Sequence, residues 1–120
     1  MGTYSEERGE HRELLADITV EDPAPLVMVE PLWSAVREAV VQSGASIVDE
    51  CVHQFHPHGF TGVLLLSQSH VSIHTWVEER LLLLDVQACG DMNEAFIVER
   101  LRAYLEPCQY RLHSIGRGQA

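Results

Sequence analysis

Between residues 62 and 89 the chain runs through three strand-length segments with no room for a helix between them. Residues 62–67 (GVLLLS) form a short apolar run bounded by polar residues, the mark of a buried strand. Residues 70–77 alternate: Val71, Ile73 and Val77 fall on one face, and His70, Ser72, His74 and Trp76 on the other. Residues 80–88 are a third run, in which a period of two groups Leu83, Asp85 and Gln87 with the following Cys89. Connections this short admit only antiparallel neighbours, because parallel strands need a crossover of a dozen residues or more. The rest of the chain must fit around a sheet with antiparallel hairpins at its centre.

The flanks supply the second layer. Residues 13–20 (ELLADITV) read as a first strand, and residues 21–31 carry Pro23, Pro25 and Pro31 and read as a connection. Pro31 suits the first turn of a helix. Leu32, Val36 and Val40 then recur at helical spacing, Trp33 and Ala39 widen the stripe, and Gly44 is the expected stop. Residues 46–55 read as a strand, and His56-Pro57-His58-Gly59 as a turn. Asp91 is the expected cap of a second helix with the stripe Ile97, Leu101, Tyr104 and Leu105, closed by Pro107. Residues 109–115 read as a last strand. The order β-α-β-β-β-β-α-β predicts an α+β fold: a two-layer α/β sandwich, mostly antiparallel, with two helices on one face. The other face is left open for a ligand or a second subunit. A chain of 120 residues is expected to form a single domain over 1–120.

Composition narrows the chemistry. Eighteen acidic residues against eight basic give a net charge of −10, which argues against nucleic acid as a partner. The charge fits a cationic ligand, and equally a surface kept soluble by repulsion. All eight basic residues are arginine. Without lysine the chain cannot hold pyridoxal phosphate as a lysine Schiff base, nor carry a Walker-A lysine. No apolar stretch is long enough to span a bilayer. Residues 1–13 lack the apolar core of a secretory leader, and Glu6 breaks the myristoylation pattern. These features predict a cytoplasmic protein without a membrane partner. Cys51, Cys89 and Cys108, odd in number and without a leader, are expected as free thiols.

Polar chemistry concentrates in residues 67–90: Ser67, Gln68, Ser69, His70, Ser72, His74, Asp85 and Cys89, flanked by Cys51, His53, His56 and His58. Taken residue by residue, these fit satisfied polar groups on a half-buried sheet. Five histidines within 22 residues also raise a metal site. Against it, residues four apart on a strand lie roughly 13 Å apart, and there is no CxxC pair or HExxH helix. No metal is expected.

The motifs carry a third reading. Ser69-His70-Val71-Ser72-Ile73-His74-Thr75-Trp76-Val77-Glu78 resembles the ESHxxIHTWPE segment of the prokaryotic S-adenosylmethionine decarboxylases. Asp85-Val86-Gln87-Ala88-Cys89-Gly90 is similar to their DVxxCG, and residues 55–63 (FHPHGFTGV) to their FxPxG(V/F)(S/T)GV. Twenty residues separate the serine from the cysteine, as in that family. Residues 11–18 resemble the family's first strand more loosely, and Arg117-Gly118 its usual ending.

The resemblance implies a cofactor, a reaction and a set of site residues. The family uses a covalent pyruvoyl group in place of pyridoxal phosphate. The serine hydroxyl attacks the preceding carbonyl, the resulting ester undergoes β-elimination, and the dehydroalanine left behind takes up water and loses ammonia to become pyruvoyl. By the same resemblance Ser69 would be the source of the cofactor, with residues 1–68 as the β chain and 69–120 as the α chain. The ketone would form a Schiff base with the substrate amine and accept the electrons released as carbon dioxide leaves. Ser69, His74 and Cys89 would be catalytic, Cys89 as the acid that reprotonates the substrate carbon. Gln68, Ser69, Thr61 and His74 would act in processing. Phe55, Val71, Trp76 and Glu78 would bind S-adenosylmethionine, Phe55 by stacking on the adenine near the sulfonium and Glu78 through the ribose hydroxyls. The product would supply aminopropyl groups for spermidine synthesis. Family members form dimers of processed protomers with sites near the interface, so a homodimer is implied.

Two positions depart from the family pattern. Gln68 stands where the family has Glu, which removes a charge beside the cleavage point. Val77 stands in place of the proline of TWPE, which frees a backbone N–H and relaxes φ. The altered Val77-Glu78 neighbourhood motivates an alternative pyruvoyl decarboxylase of ornithine or arginine. Gln68 motivates a second alternative, an unprocessed, non-catalytic binding or regulatory homologue.

Overall fold

The computed structural model describes residues 10–118. Residues 1–9, part of the stretch read for targeting signals, lie outside the described residues. The strands are β1 (His11–Val20), β2 (Ile47–Gln54), β3 (Phe60–Leu66), β4 (His70–Trp76), β5 (Leu81–Cys89) and β6 (Cys108–Arg117). The helices are α1 (Leu32–Gln42) and α2 (Glu94–Leu105), with short 3-10 turns at Ala24–Leu26 and Val77–Glu79. The strands form one sheet in the order β2-β3-β4-β5-β1-β6, with every neighbouring pair antiparallel. This is the expected α+β architecture.

Period-two burial builds it. In β1, Leu14, Ala16, Ile18 and Val20 are buried while Glu13, Leu15 and Asp17 stay half-exposed. Val71 and Ile73 of β4 and Leu82, Leu84, Val86 and Ala88 of β5 continue the same face. The helices close over it with Trp33, Val36 and Val40 from α1 and Ile97, Leu101 and Leu105 from α2. Each fully buried aliphatic side chain of this kind contributes about 1.5–3 kcal/mol. The opposite face has no covering layer among the described residues. Directly opposed residues share a face, so register sets its composition: Thr61 beside His74, His74 beside Leu83, Ser72 beside Asp85, His70 beside Gln87, and His11 beside Cys89.

Four details differ from expectation. Val77 leaves the strand: β4 ends at Trp76, and Arg80 closes the following turn at φ 54°. From that turn Val77 still packs half-buried against the core, and Thr75, next in phase after Ile73, is buried with its hydroxyl accepting from the Phe60 N–H and donating to the Leu26 carbonyl, both at 2.9 Å. Pro31, expected in the first turn of α1, is the N-cap just before it. The cap of α2 is Asn93 rather than Asp91, accepting from the Phe96 N–H at 3.1 Å. Tyr104 lies outside the buried stripe, 43% exposed, while Ile97, Leu101 and Leu105 are buried as expected. Gly44 stops α1 as expected, at φ 101°.

Gly62 is where α1 meets the sheet. A Cβ there would sit 2.5 Å from the Trp33 ring, and Trp33 is itself fixed edge-on to Phe60 and by its indole N–H to Glu50 at 3.2 Å. Gly62→Ala is therefore expected to destabilise by about 1–3 kcal/mol through overpacking. Urea unfolding measures this, and Trp33→Phe in the same background should recover part of the loss.

Among the described residues no helix is long and apolar enough to cross a membrane. None of their His, Cys, Asp and Glu side chains gather in groups of three or more fit to hold a metal ion.

Candidate active site

The sequence-predicted residues fall into two clusters at opposite ends of the open face. The first surrounds the β3–β4 turn. The Leu66 N–H donates to the Ser69 carbonyl at 2.9 Å and closes the hairpin, while the Ser67 N–H donates to Ser46. This presents the Gln68–Ser69 peptide at the turn. Cys89, the last residue of β5, faces it: its sulfur lies 3.3 Å from Gln68 Oε1 and 4.0 Å from the Gln68 main-chain oxygen. The Ser69 hydroxyl donates to the Met92 sulfur at 3.8 Å. Ser69, Gln68, Cys89 and Met92 line a cavity of about 180 Å³ with Gly44, Ser46 and Gly90.

The loop that carries Met92 hangs from β1. Arg12 occupies a core-facing position of that strand and is 4% exposed. Its guanidinium donates to both oxygens of Glu94, at 2.6 and 3.0 Å, and to the Met92 carbonyl at 3.0 Å. The Gly90 N–H donates to Glu10, and the Asn93 N–H to Ser43. Residues 90–93 are thus held against Cys89 and Ser69 from three directions.

The second cluster sits about four strand positions further along. The Thr61 hydroxyl and His74 Nδ1 are 2.9 Å apart. Phe55, His56, Pro57, His58, Trp76 and Glu78 join them around a cleft of about 450 Å³. Phe55 and Trp76 expose about half of their surfaces to it, and His53 packs edge-on to Phe55 with ring centroids 4.8 Å apart. His58 Nε2 lies 3.9 Å from the Glu78 carboxylate.

One chain does not bring the two clusters together. At about 3.3 Å per residue, His74 lies roughly 13 Å beyond His70 along β4, and Cys89 is on the Ser69 side. Val71, expected among the substrate contacts, has a fully buried side chain in the core on the helix-covered face, so it lines neither cavity. Sequence reasoning passed over Arg12, Glu94 and Met92, and named His53 only as a flank of the polar cluster. Arg12 carried a signal: a lone charge in phase with Leu14, Ala16, Ile18 and Val20 must be paired when buried.

Midway between the clusters, Glu13 and Asp85 approach each other on the open face. Glu13 Oε1 and Asp85 Oδ1 are buried and have no hydrogen-bond partner among the described residues. Two ionised carboxylates cannot donate to one another, whereas one shared proton would pair them. Burial first, then the Asp85 charge and that shared hydrogen bond, push the Glu13 carboxyl up, against the opposing pull of Arg117 and His70. Folding therefore favours the protonated form. Its stabilising contribution is complete below about pH 4.5 and is lost as pH rises through the higher folded value. The thermal midpoint should fall across that rise, and Glu13→Gln should flatten the fall; parallel melts of both chains from about pH 4 to 8 check it.

The three cysteines are free thiols. Cys51 is exposed; burial pushes the Cys108 thiol up, and it donates to the Arg102 carbonyl at 3.5 Å.

Comparison with known proteins places this geometry. The S-adenosylmethionine decarboxylase family model matches residues 12–118. The S-adenosylmethionine decarboxylase proenzyme of Archaeoglobus fulgidus is 34% identical over 110 residues, covering 89% of this chain and 96% of that one. The proenzyme of the same name from Aquifex aeolicus is 40% identical over 83 residues, covering 69% of this chain, which spans 62% of that relative's length. The crystal structure of the adenosylmethionine decarboxylase from Aquifex aeolicus superposes with a TM-score of 0.83 at 29% identity, covering 94% of each chain. A family match across nearly the whole described chain, together with that shared fold, shows that this chain belongs to the S-adenosylmethionine decarboxylase family.

Proposed function

We propose that the chain is a self-processing, pyruvoyl-dependent decarboxylase of S-adenosylmethionine, a cytoplasmic enzyme that supplies aminopropyl groups for polyamine synthesis. The observation that carries this is the Gln68–Ser69 peptide presented at a tight turn with the Cys89 thiol 4.0 Å from its carbonyl oxygen. Ser69 Oγ attacks the Gln68 carbonyl carbon, the C–N bond gives way to an ester, and elimination across Ser69 Cα–Cβ releases Gln68 as a carboxylate. Residues 1–68 and 69–120 become separate chains. Cys89 can donate to the carbonyl oxygen during the attack, and later to the substrate α-carbon. The site fits a pyruvoyl group, because the serine that would generate it already lies in a cavity beside its proton donor. Once formed, that group supplies the electron sink for decarboxylation. The Thr61–His74 pair offers an imidazole held by a hydroxyl, suited to moving the elimination proton. Phe55 and Trp76 present ring faces to a sulfonium cation, and the Glu78 carboxylate can accept from ribose hydroxyls.

Two clusters at opposite ends of one open face support a homodimer. A two-fold axis through that face would set Ser69 and Cys89 of one chain beside the partner's Phe55, Thr61, His74 and Glu78. The named relatives are S-adenosylmethionine decarboxylases rather than ornithine or arginine decarboxylases, and no geometry favours those alternatives.

Denaturing intact mass together with carbon dioxide release from carboxyl-labelled S-adenosylmethionine tests the reading. Two chains split at Gln68–Ser69 and labelled gas are expected. A single 13.5 kDa species after long incubation overturns it. Mixed dimers of Ser69→Ala and His74→Ala chains should regain activity if sites are shared between copies, and none if each chain holds a whole site.

A further inference from the structure

We propose that self-cleavage re-equips Cys89: the carboxylate that Gln68 acquires on cleavage takes over as acceptor of the Cys89 S–H and holds the thiol in its protonated form. The inference rests on the processing reading above. In the uncut chain the thiol has two acceptors within reach, the Gln68 side-chain amide oxygen at 3.3 Å and the scissile carbonyl oxygen at 4.0 Å. Both are neutral. The N-to-O shift moves the Gln68 acyl group onto Ser69 Oγ. Elimination then takes the Ser69 Cα proton and breaks the Cβ–Oγ bond, so Oγ leaves with Gln68 and the electron pair stays on the new carboxylate. A full negative charge replaces a neutral oxygen beside the sulfur.

A nearby anion favours S–H over S⁻ and makes the stronger acceptor for its proton. Glu at position 68 would keep a carboxylate beside the sulfur before and after cleavage. With Gln68 this position gains its charge only on cleavage, while the other ionisable neighbours of Cys89, namely His11 across the strand pair, Glu10 beside Gly90 and Asp91 in the cavity wall, are the same before and after it. The donor that must reprotonate a substrate carbon is then locked in its proton-bearing state only once the serine has been converted. Gln68 is thus a positioning residue twice: its amide orients the thiol before cleavage, and its terminus sets the thiol's charge state afterwards.

The test is the pH profile of Cys89 alkylation by iodoacetamide, read by peptide mass spectrometry so that Cys51 and Cys108 do not contribute. Uncut Ser69→Ala is compared with the self-cleaved chain. The profile's midpoint should lie higher by at least about one unit in the cleaved chain, a tenfold slower reaction at a fixed pH below it, with the high-pH plateau retained. A change in accessibility alone would scale the plateau and leave the midpoint in place, and that result overturns the proposal. In the uncut Ser69→Ala background, Gln68→Glu should raise the midpoint and Gln68→Met should not; equal midpoints for the two overturn it as well. Failure of the processing reading shows itself separately, as a wild-type chain that keeps one mass of 13.5 kDa, and defeats the proposal with it.

Discussion

Replacing Ser69 by alanine is expected to abolish cleavage outright, leaving a single chain of 13.5 kDa where the wild type is expected to give two. The reason is specific to one atom. An N-to-O shift needs a hydroxyl on the residue after the scissile carbonyl, and Ser69 Oγ is the only oxygen so attached. Ser67, two residues earlier, has its N–H engaged with Ser46, and Ser67→Ala should leave cleavage intact. The substitution should barely disturb folding, because the Ser69 hydroxyl makes one long bond, 3.8 Å to the Met92 sulfur. Loss of one such weak bond at a half-buried position is expected to cost no more than about 1 kcal/mol. Thermal melts alongside the mass spectra separate the two effects: an unchanged midpoint with complete loss of cleavage is the expected pair. Two fragments from the alanine chain would place the nucleophile elsewhere.

Most of the sheet was legible because local rules suffice for it. Alternation in β4 and β5, short connections and a proline-bounded helix each act over a few residues, and all pointed the same way. What was not legible depends on contacts between distant segments. Asp91 and Asn93 are equally good caps by chemistry, and the choice between them depends on residues 90–93 being tethered to Glu10, Arg12 and Ser43. Val77 continues the β4 alternation on paper, but the turn closed by Arg80 ends the strand one residue sooner. The candidate site residues are picked out by their motifs, while their division into two clusters is not. Sequence order interleaves them, Phe55 and Thr61 before Ser69, His74 and Glu78 after it, and Cys89 last. Only strand direction and register send the Phe55–Thr61–His74–Glu78 group to one end of the open face and the Ser69–Cys89 group to the other.

The Arg12–Glu94 pair joins stability to that site, and breaking it is expected to cost most among substitutions outside the chemistry itself. Both side chains are at most 7% exposed. Glu94→Ala removes the carboxylate that accepts two guanidinium N–H groups and leaves a buried cation without that counter-charge. Such single removals destabilise by about 3–5 kcal/mol, a large share of the roughly 5–15 kcal/mol that holds a domain folded. Replacing both partners, Arg12→Met with Glu94→Leu, removes the charge along with its need and should cost far less than the sum of the single changes. A double-mutant cycle in urea measures the difference. Glu94→Gln, which keeps shape and one acceptor, should fall between. The tether also predicts a second readout. Met92, whose carbonyl Arg12 holds, meets the Ser69 hydroxyl, so a loosened loop should slow cleavage even where the chain remains folded. In the apolar double variant, recovered stability with slow cleavage would show that the pair orients the turn as well as holding the fold. Recovery of both together would confine it to the fold.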